Sequence, residues 1–192
     1  MPTSPIHRPV CNSRGSTIFL TGLPAAGKTT IAGALERWFV ARDLTVTMLD
    51  GDVVRTTLSS ELGFSREDRD LNIRRVGFVA AEVTRHGGIA ICACVAPYDE
   101  ARRAVRRTIE QVGAFILVHV ATRLDTCEAR DPKGLYARAR NGLLPHFTGV
   151  TDPYEPPTDA DVVIDTDKLS VDAAVLEIVN SLRERATGMV WP

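Results

Sequence analysis

Short apolar segments alternate along the chain with longer segments whose apolar residues recur every three or four positions. The first apolar run is 17–21, and Ile31, Leu35 and Phe39 then follow at helical spacing. Short apolar runs favour strands, and the three-to-four-residue period favours amphipathic helices. Further runs predict strands at 45–49, 89–95, 115–120 and 161–165. Helices are predicted within 53–64 and around 65–86, 99–111, 122–130, 135–141 and 171–182.

Strands that alternate with helices predict one α/β domain. This order favours a parallel sheet, here of five strands, with helices on both faces. Residues 1–15 hold three prolines and show little periodicity, so they are predicted to form a flexible arm before a domain spanning 16–187. The long polar stretch 131–157, which is rich in Gly and Pro, is interpreted as a mobile lid over an active site.

The composition of the chain bears on the partners and the location of this domain. A net charge of −1 argues against nucleic acid or an anionic membrane as the main partner. No apolar run approaches the roughly 20 residues of a membrane span, and the first residues lack the apolar core of a secretion signal. The four cysteines show no framework spacing and are interpreted as ordinary thiols of a reducing cytoplasm, which is the expected location. The arginine-rich helix predicted at 99–111 is interpreted as having a solvated charged face.

The segment Gly22–Thr29 has the form G-x-x-x-x-G-K-[ST], which predicts a loop that binds nucleotide phosphates. It follows a predicted strand and opens a predicted helix, so bound phosphate would lie at a helix N-terminus. Lys28 would reach the β- and γ-phosphates of ATP, and the Thr29 hydroxyl would bind Mg²⁺. The residues expected to bind ATP here are Gly22, Leu23, Pro24, Ala25, Ala26, Gly27, Lys28, Thr29 and Thr30.

A carboxylate pair and an unusual lysine add to this loop. Asp50 and Asp52 follow the second predicted strand, at the edge of the sheet where open α/β folds bind nucleotides. Phosphoryl transfer needs a carboxylate near Mg²⁺ or near the attacking hydroxyl. The chain has 20 arginines but only three lysines, Lys28, Lys133 and Lys168. A lysine at 133, within the predicted lid, is therefore a second candidate active-site cation, and the whole set predicts a small-molecule kinase.

Several sequence blocks resemble those of the adenylylsulfate (APS) kinase family, in its order and spacing, across residues 14–185. They are Leu49–Arg55, Leu62–Ser65, Glu67–Arg69, Asn72–Arg75, Ala96–Tyr98, Cys127–Tyr136 and Phe147–Gly149. That family transfers the γ-phosphoryl group of ATP to the 3′-hydroxyl of APS. The resemblance therefore implies this sulfate-activating reaction, with ATP and Mg²⁺, on a phosphate-loop NTPase fold. It also implies a homodimer, and it leaves open whether the chain works alone or in a functional link with an ATP sulfurylase.

The resemblance further implies roles for individual residues. Asp52 would lie beside the acceptor hydroxyl as base or Mg²⁺ ligand, with Asp50 behind it. Phe64 and Phe147 would sandwich the adenine of APS. The other expected contacts are Arg55, Arg69, Asn72, Lys133 and the backbone of Val95 and Ala96 with APS, and Arg130 and the loop near Leu169 with the adenine of ATP.

Two positions depart from the family's usual sequence. Pro24-Ala25-Ala26 stands where Ser-Gly-Ala is common, and Pro24 offers no N–H to a phosphate. Ala96 stands where many members have a serine that has been considered as a phosphorylated residue, so transfer is expected to be direct and in line. Two other interpretations remain open. One is a related kinase of the gluconate or shikimate type, and the other is a non-catalytic nucleotide-binding module of a sulfate-activating complex.

Overall fold

A parallel sheet of five strands organises residues 15–185, which are the residues that the structure, a computed structural model, describes. Neighbouring strands all pair in parallel, in the order β2-β3-β1-β4-β5. The predicted α/β fold is therefore confirmed. The strands are β1 (Ser16–Thr21), β2 (Val46–Asp50), β3 (Ile89–Ala93), β4 (Ala114–Val120) and β5 (Val162–Ile164).

Helices connect these strands at the positions that the sequence pattern predicts, with boundaries that shift by a few residues. The longest of them, α3, begins after Ser65, whose hydroxyl accepts a hydrogen bond from the Asp68 backbone N–H at 3.1 Å, as an N-cap does. The helices of the described range are α1 (Lys28–Val40), α2 (Gly51–Thr57), α3 (Arg66–Arg85), α4 (Asp99–Glu110), α5 (Leu124–Arg130), α6 (Leu135–Arg140) and α7 (Val171–Arg185).

Both faces of the sheet are buried, because successive strand residues alternate between two cores. In β1, Ile18 and Leu20 face one core and Phe19 faces the other. Helices α1 and α7 pack on the first core, and α3 and α4 pack on the second. Strands covered on both sides are apolar at nearly every position, which is why short continuous apolar runs mark them in the sequence.

The prediction of a solvated face on α4 is wrong for one of its arginines. Arg102 is only 1% exposed, and its guanidinium donates to backbone carbonyl oxygens outside the helix. Arg103, its neighbour in sequence, is half exposed, as expected. A buried arginine is stable only where acceptors surround it, and one of these acceptors, the Glu155 carbonyl oxygen, comes from a segment distant in sequence.

The described cysteines are free thiols, as predicted. Cys92, Cys94 and Cys127 are all buried and form no disulfide. Burial raises the pKa of the Cys94 thiol to about 12, so it stays protonated at neutral pH. Cys11 and the predicted arm, up to residue 14, lie outside the described residues. The domain limits and the mobile lid remain predictions. No helix within 15–185 has the length and apolar character needed to cross a membrane.

Candidate active site

The phosphate loop joins β1 to α1, and its two glycines have backbone conformations that side chains would oppose. A Cβ at Gly22 would lie 2.5 Å from the Val120 carbonyl oxygen, so no larger residue fits there. Gly27 has a φ of 102° and immediately precedes α1. The loop therefore ends at the N-terminus of a long helix, whose unpaired N–H groups favour an anion.

Lys28 lies within this loop and is largely buried, with 8% of its surface exposed. Its Nζ donates to the carbonyl oxygens of Gly22 at 2.9 Å and Leu23 at 2.7 Å. Burial lowers the pKa of Lys28 to about 8, and the nearby Asp50 and Asp52 offset only part of that effect. A cation removed from water in this way is one that phosphate oxygens would stabilise strongly.

Asp50 ends β2 and organises the residues around it. One of its carboxylate oxygens accepts the Thr29 hydroxyl at 2.9 Å, and the other accepts the Asp52 N–H at 2.9 Å, which caps α2. Asp50 is thus held behind the predicted metal ligand Thr29. The Asp52 side chain is 75% exposed and forms an ion pair with Lys133. The predicted catalytic carboxylate and the rare lysine of the lid segment are therefore in contact.

The oxygen atoms of Thr29 and Asp52 are of the kind that Mg²⁺ prefers. A protein Mg²⁺ site commonly uses one or two such ligands together with substrate phosphates and water. Within residues 15–185, no group of three or more His, Cys, Asp or Glu side chains could hold a metal ion. These residues therefore fit Mg²⁺ that arrives with a nucleotide better than Mg²⁺ held in an all-protein cage.

One cavity of about 810 Å³ contains most of the predicted site residues. It runs from the phosphate loop, past the end of β2, to the segment between α6 and β5. The predicted residues that line it are Pro24, Ala25, Gly27, Lys28, Thr29, Thr30, Asp50, Asp52, Arg55, Phe64, Arg69, Asn72, Val95, Ala96, Arg130, Lys133, Phe147 and Leu169.

Three predicted residues of the phosphate loop lie behind this lining. Gly22 and Leu23 face Lys28 through their carbonyl oxygens. Ala26 is completely buried, and its carbonyl oxygen accepts the Thr122 hydroxyl at 2.8 Å. The carbonyl contacts of these three residues support the conformation of the loop residues that line the cavity.

Arg69 connects the two aromatic residues at one end of the cavity. Its Nε donates to the Phe64 carbonyl oxygen at 2.9 Å, and its Nη2 donates to the carbonyl oxygen of His146, which precedes Phe147. Arg55 stacks over the Phe64 ring, with 4.4 Å between the guanidinium carbon and the ring centroid. Burial lowers the pKa of both arginines, so an anionic ligand would stabilise their charged forms.

The aromatic rings themselves differ in their surroundings. Phe147 is 8% exposed and packs edge-to-face against Tyr136, with centroids 5.0 Å apart. Phe64 is 50% exposed, which leaves much of its ring available to a ligand. Asn72 also lines the cavity; it is 5% exposed, and its Oδ1 has no hydrogen-bond partner among the described residues. A buried acceptor without a partner is costly, so a ligand donor in this cavity would relieve that cost.

Arg130 and Leu169 line the other end of the cavity, beside the phosphate loop. Arg130 donates to the Thr166 hydroxyl at 2.8 Å and forms an ion pair with Asp167 at 3.3 Å, which fixes the plane of its guanidinium. Thr166 and Asp167 are not among the residues that the sequence predicts for the site. Their signal is the carboxyl end of the fifth predicted strand, where polar residues face the crevice of an open α/β sheet.

Tyr136 is another missed residue. Its hydroxyl donates to the Pro24 carbonyl oxygen at 3.0 Å, and its ring supports Phe147. It therefore joins the lid segment to the phosphate loop, although Pro24 itself has no N–H to offer.

Comparison with known proteins identifies the family to which this combination of loop, carboxylates and aromatic residues belongs. The family model Adenylylsulphate kinase matches residues 14–165, more than half of the chain. This chain belongs to the adenylylsulphate kinase family. The predicted family, its phosphate-loop fold and its class of enzyme, a kinase, are thereby confirmed.

Individual relatives agree with this assignment. The chain is 49% identical over 170 residues to an adenylyl-sulfate kinase of Synechococcus sp. (strain JA-3-3Ab), covering 88% of this chain and 95% of the relative. It also resembles the solved APS kinase of Mycobacterium tuberculosis in complex with AMPPNP and APS. That match has a TM-score of 0.85 and 37% identity, and it covers 89% of this chain and 99% of the other.

Longer proteins also contain a region of this kind. A sulfate adenylyltransferase of Phaeosphaeria nodorum is 52% identical over 172 residues, which cover 89% of this chain. The chain spans only about 30% of the length of that relative.

Proposed function

We propose that this protein transfers the γ-phosphoryl group of ATP to the 3′-hydroxyl of adenylyl sulfate, giving 3′-phosphoadenylyl sulfate and ADP. The observation that carries the proposal is that the phosphate loop, Asp52 and the arginine and aromatic side chains all line one cavity. ATP would bind at the loop, and the acceptor would bind at the aromatic end. Phosphoryl transfer depends mainly on positioning and on neutralising charge, and the lining residues suit both tasks.

Asp52 would accept the proton of the acceptor hydroxyl. As the oxygen–phosphorus bond forms, the bond between the γ-phosphorus and the bridging oxygen of ADP breaks, and the proton passes to the carboxylate. The exposure of Asp52 suits contact with a substrate, and its ion pair with Lys133 would keep its carboxylate directed into the cavity. Asp50 would act indirectly, because its two oxygens already hold Thr29 and the start of α2.

Lys28 would neutralise charge on the β- and γ-phosphates as the bond to ADP breaks. It would have to leave the carbonyl oxygens of Gly22 and Leu23 to do so. Thr29 and Asp52 would hold Mg²⁺, which would supply further neutralisation of phosphate charge.

The acceptor would be recognised by shape and by charge. An adenine ring would stack between Phe64 and Phe147, because aromatic faces stack on planar bases. Arg55 and Arg69 would face the phosphosulfate and ribose, and the free Oδ1 of Asn72 would accept a hydrogen bond from the acceptor. Val95 and Ala96 would contact it through their backbone. Arg130 and Leu169 would flank the adenine of ATP at the opposite end.

Transfer would be direct, because Ala96 has no hydroxyl that could carry a phosphoryl group. One in-line displacement inverts the configuration at phosphorus, whereas two would restore it. ATP with a chiral γ-phosphorus should therefore give inverted product. Net retention, or a phosphoenzyme trapped with ATP alone, would refute direct transfer.

The decisive experiment measures ADP release with MgATP and four acceptors in parallel: APS, gluconate, shikimate and a nucleoside. Of the four acceptors, only APS should stimulate ADP release. Asp52→Asn should reduce kcat with APS by at least about a hundredfold, within the range of general-base contributions, while ATP binding is retained. The matched control is Asp125→Asn, an exposed carboxylate outside the cavity, which should retain activity. Equal ADP release with and without APS would refute the function.

We also propose a homodimer that acts in the cytoplasm beside an ATP sulfurylase. Support for the link comes from the sulfate adenylyltransferase relative, which contains a region similar to this chain. Light scattering of the purified protein tests the dimer, and a coupled assay with ATP sulfurylase, sulfate and ATP tests the link.

A further inference from the structure

A buried arginine holds the backbone at the acceptor end of the cavity without lining the cavity itself. Arg102 is 1% exposed and ranks among the largest fully buried side chains. Its Nη1 donates to the Ala96 carbonyl oxygen at 2.7 Å, and its Nη2 donates to the Glu155 carbonyl oxygen at 2.7 Å. One planar guanidinium thus joins the segment after β3 to the segment before β5.

Ala96 needs such support because of its backbone conformation. Its φ is 43°, in the left-handed region that residues other than glycine rarely adopt. A residue keeps a disfavoured conformation only when its surroundings determine it. The carbonyl group of Ala96, fixed by Arg102, is one such determinant.

Thr21 holds the neighbouring carbonyl group of the same segment. Its hydroxyl donates to the Val95 carbonyl oxygen at 2.6 Å and lies 3.3 Å from the Ala96 carbonyl oxygen. Tyr154 approaches this hydroxyl with its own at 3.1 Å. The backbone at positions 95 and 96, which faces the cavity, is therefore held by two side chains that lie behind it.

The segment that carries Glu155 is itself attached to the start of α4. The Glu155 carboxylate accepts the Asp99 N–H at 2.7 Å, and the Glu155 N–H donates to the Pro97 carbonyl oxygen at 2.9 Å. Arg102 completes this set of contacts, because it bonds both segments at once. Loss of its fork would remove a donor from the Ala96 carbonyl and from the Glu155 carbonyl together.

We propose that Arg102 is a positioning residue for the acceptor substrate, which fixes the Val95–Ala96 backbone in the conformation that APS requires. This inference rests on the proposed function. The residues that would contact ATP, at the phosphate loop and near Arg130, make no hydrogen bond with Arg102. Its loss should therefore affect the acceptor rather than the nucleotide. A displacement of about 1 Å in such a site can cost about a hundredfold in rate.

The test compares Arg102→Lys with Arg106→Lys, one helical turn further along α4. Arg106 makes a comparable set of contacts, with the Asp159 carbonyl oxygen at 2.9 Å and the Asp161 carboxylate at 3.0 Å, but none with Ala96. Lysine keeps the charge but has a single donor nitrogen, so it lacks the two separate nitrogens with which Arg102 reaches the Ala96 and Glu155 carbonyl oxygens. Both changes should lower thermal stability. Only Arg102→Lys should lower kcat/KM for APS, by about tenfold to a hundredfold, with the KM for ATP within about twofold of wild type.

A second pair of variants keeps the test informative if Arg102→Lys fails to fold. Thr21→Val removes the hydroxyl that holds Val95, and Thr21→Ser retains it. The valine variant should raise the KM for APS, and the serine variant should restore it towards the wild-type value. Valine keeps the size of threonine and serine keeps its hydroxyl, so this rescue would show that the hydroxyl matters and not the volume of the side chain.

The outcomes separate the two proposals. Wild-type protein without APS-dependent ADP release would overturn the proposed function and this inference together. An active wild type whose Arg102→Lys variant folds and keeps its kcat/KM for APS would overturn this inference alone. If Arg102→Lys does not fold, identical APS kinetics in the Thr21→Val and Thr21→Ser variants would overturn it. Equal losses for APS and ATP in the folded variant would also overturn it.

Discussion

Ala25 offers a test of how the phosphate loop is built. Its φ is 60°, in the left-handed region, at a position where the family commonly has glycine. The left-handed conformation costs an L-residue roughly 1–2 kcal/mol, whereas glycine adopts it freely. Glycine also gives the unfolded chain more freedom, which costs about 0.4–1 kcal/mol of stability. The net expectation is that Ala25→Gly stabilises the protein by about 0.5–1 kcal/mol.

The neighbouring alanine provides a control of opposite sign. Ala26 is completely buried and is not among the residues with positive φ. Ala26→Gly therefore relieves no strain and loses a buried methyl group, worth about 0.8 kcal/mol, in addition to the entropy of the unfolded chain. It should destabilise the protein by about 1–2 kcal/mol. Two changes of the same chemistry, one residue apart, should thus move stability in opposite directions.

Thermal and denaturant unfolding without nucleotide measure both effects. In a domain of this size 1 kcal/mol shifts the melting temperature by about 2–4 °C, so Ala25→Gly should raise it by about 1–4 °C and Ala26→Gly should lower it. ATP affinity should be retained in Ala25→Gly. A melting temperature that falls equally in both variants would refute the argument from strain at Ala25.

Two further predictions concern the ligands. Phe147→Ala should raise the KM for APS about 5- to 150-fold, since stacking on one base is worth about 1–3 kcal/mol, and should leave ATP binding nearly unchanged. The exposed Phe78 lies outside the cavity, so Phe78→Ala is the control, and an effect of Phe147→Ala on ATP alone would contradict the assignment. The depressed pKa of Lys28 predicts that ATP binding takes up a proton, about half a proton near pH 8, because phosphates favour the charged amine. Affinity should therefore weaken as pH rises above 8, and calorimetry in buffers of different ionisation enthalpy that finds no uptake there would refute this. Since the folded pKa lies below the usual 10.5, the stability of the nucleotide-free protein should rise with pH between these two values.

The elements of the fold could be predicted because their signals are local. Both faces of each central strand are buried, so strands appear as apolar runs, and α1 shows its buried face through Ile31, Leu35 and Phe39. The signal for the phosphate loop is likewise local, since its function depends on the order of glycine, lysine and threonine within one short continuous segment. The scarcity of lysine also singled out Lys133, which lines the cavity and forms an ion pair with Asp52; its role in catalysis stays a prediction.

Arg102 could not be predicted in the same way. Its sequence neighbourhood is rich in arginine, and nothing in that pattern separates a buried guanidinium from an exposed one. Burial is decided by acceptors elsewhere in the chain, such as the Glu155 carbonyl, 53 positions away. Thr166 and Asp167 were missed for a related reason, because their contact with Arg130 spans more than 35 residues. Polar residues at strand ends indicate a crevice, but they do not indicate which side chain they will hold.

The two ends of the cavity can therefore be predicted from the sequence to different extents. The nucleotide end depends mainly on one continuous segment, so a short motif suffices to predict that ATP binds there. The acceptor end is assembled from separate segments around Phe64, Asn72, Ala96, Lys133 and Phe147, and no single one of them specifies adenylyl sulfate. Changes at that end can alter the acceptor while the phosphate loop stays the same. The ordered set of blocks and the contacts that hold them together therefore point to the acceptor, whereas the loop by itself predicts only that nucleotide phosphates bind.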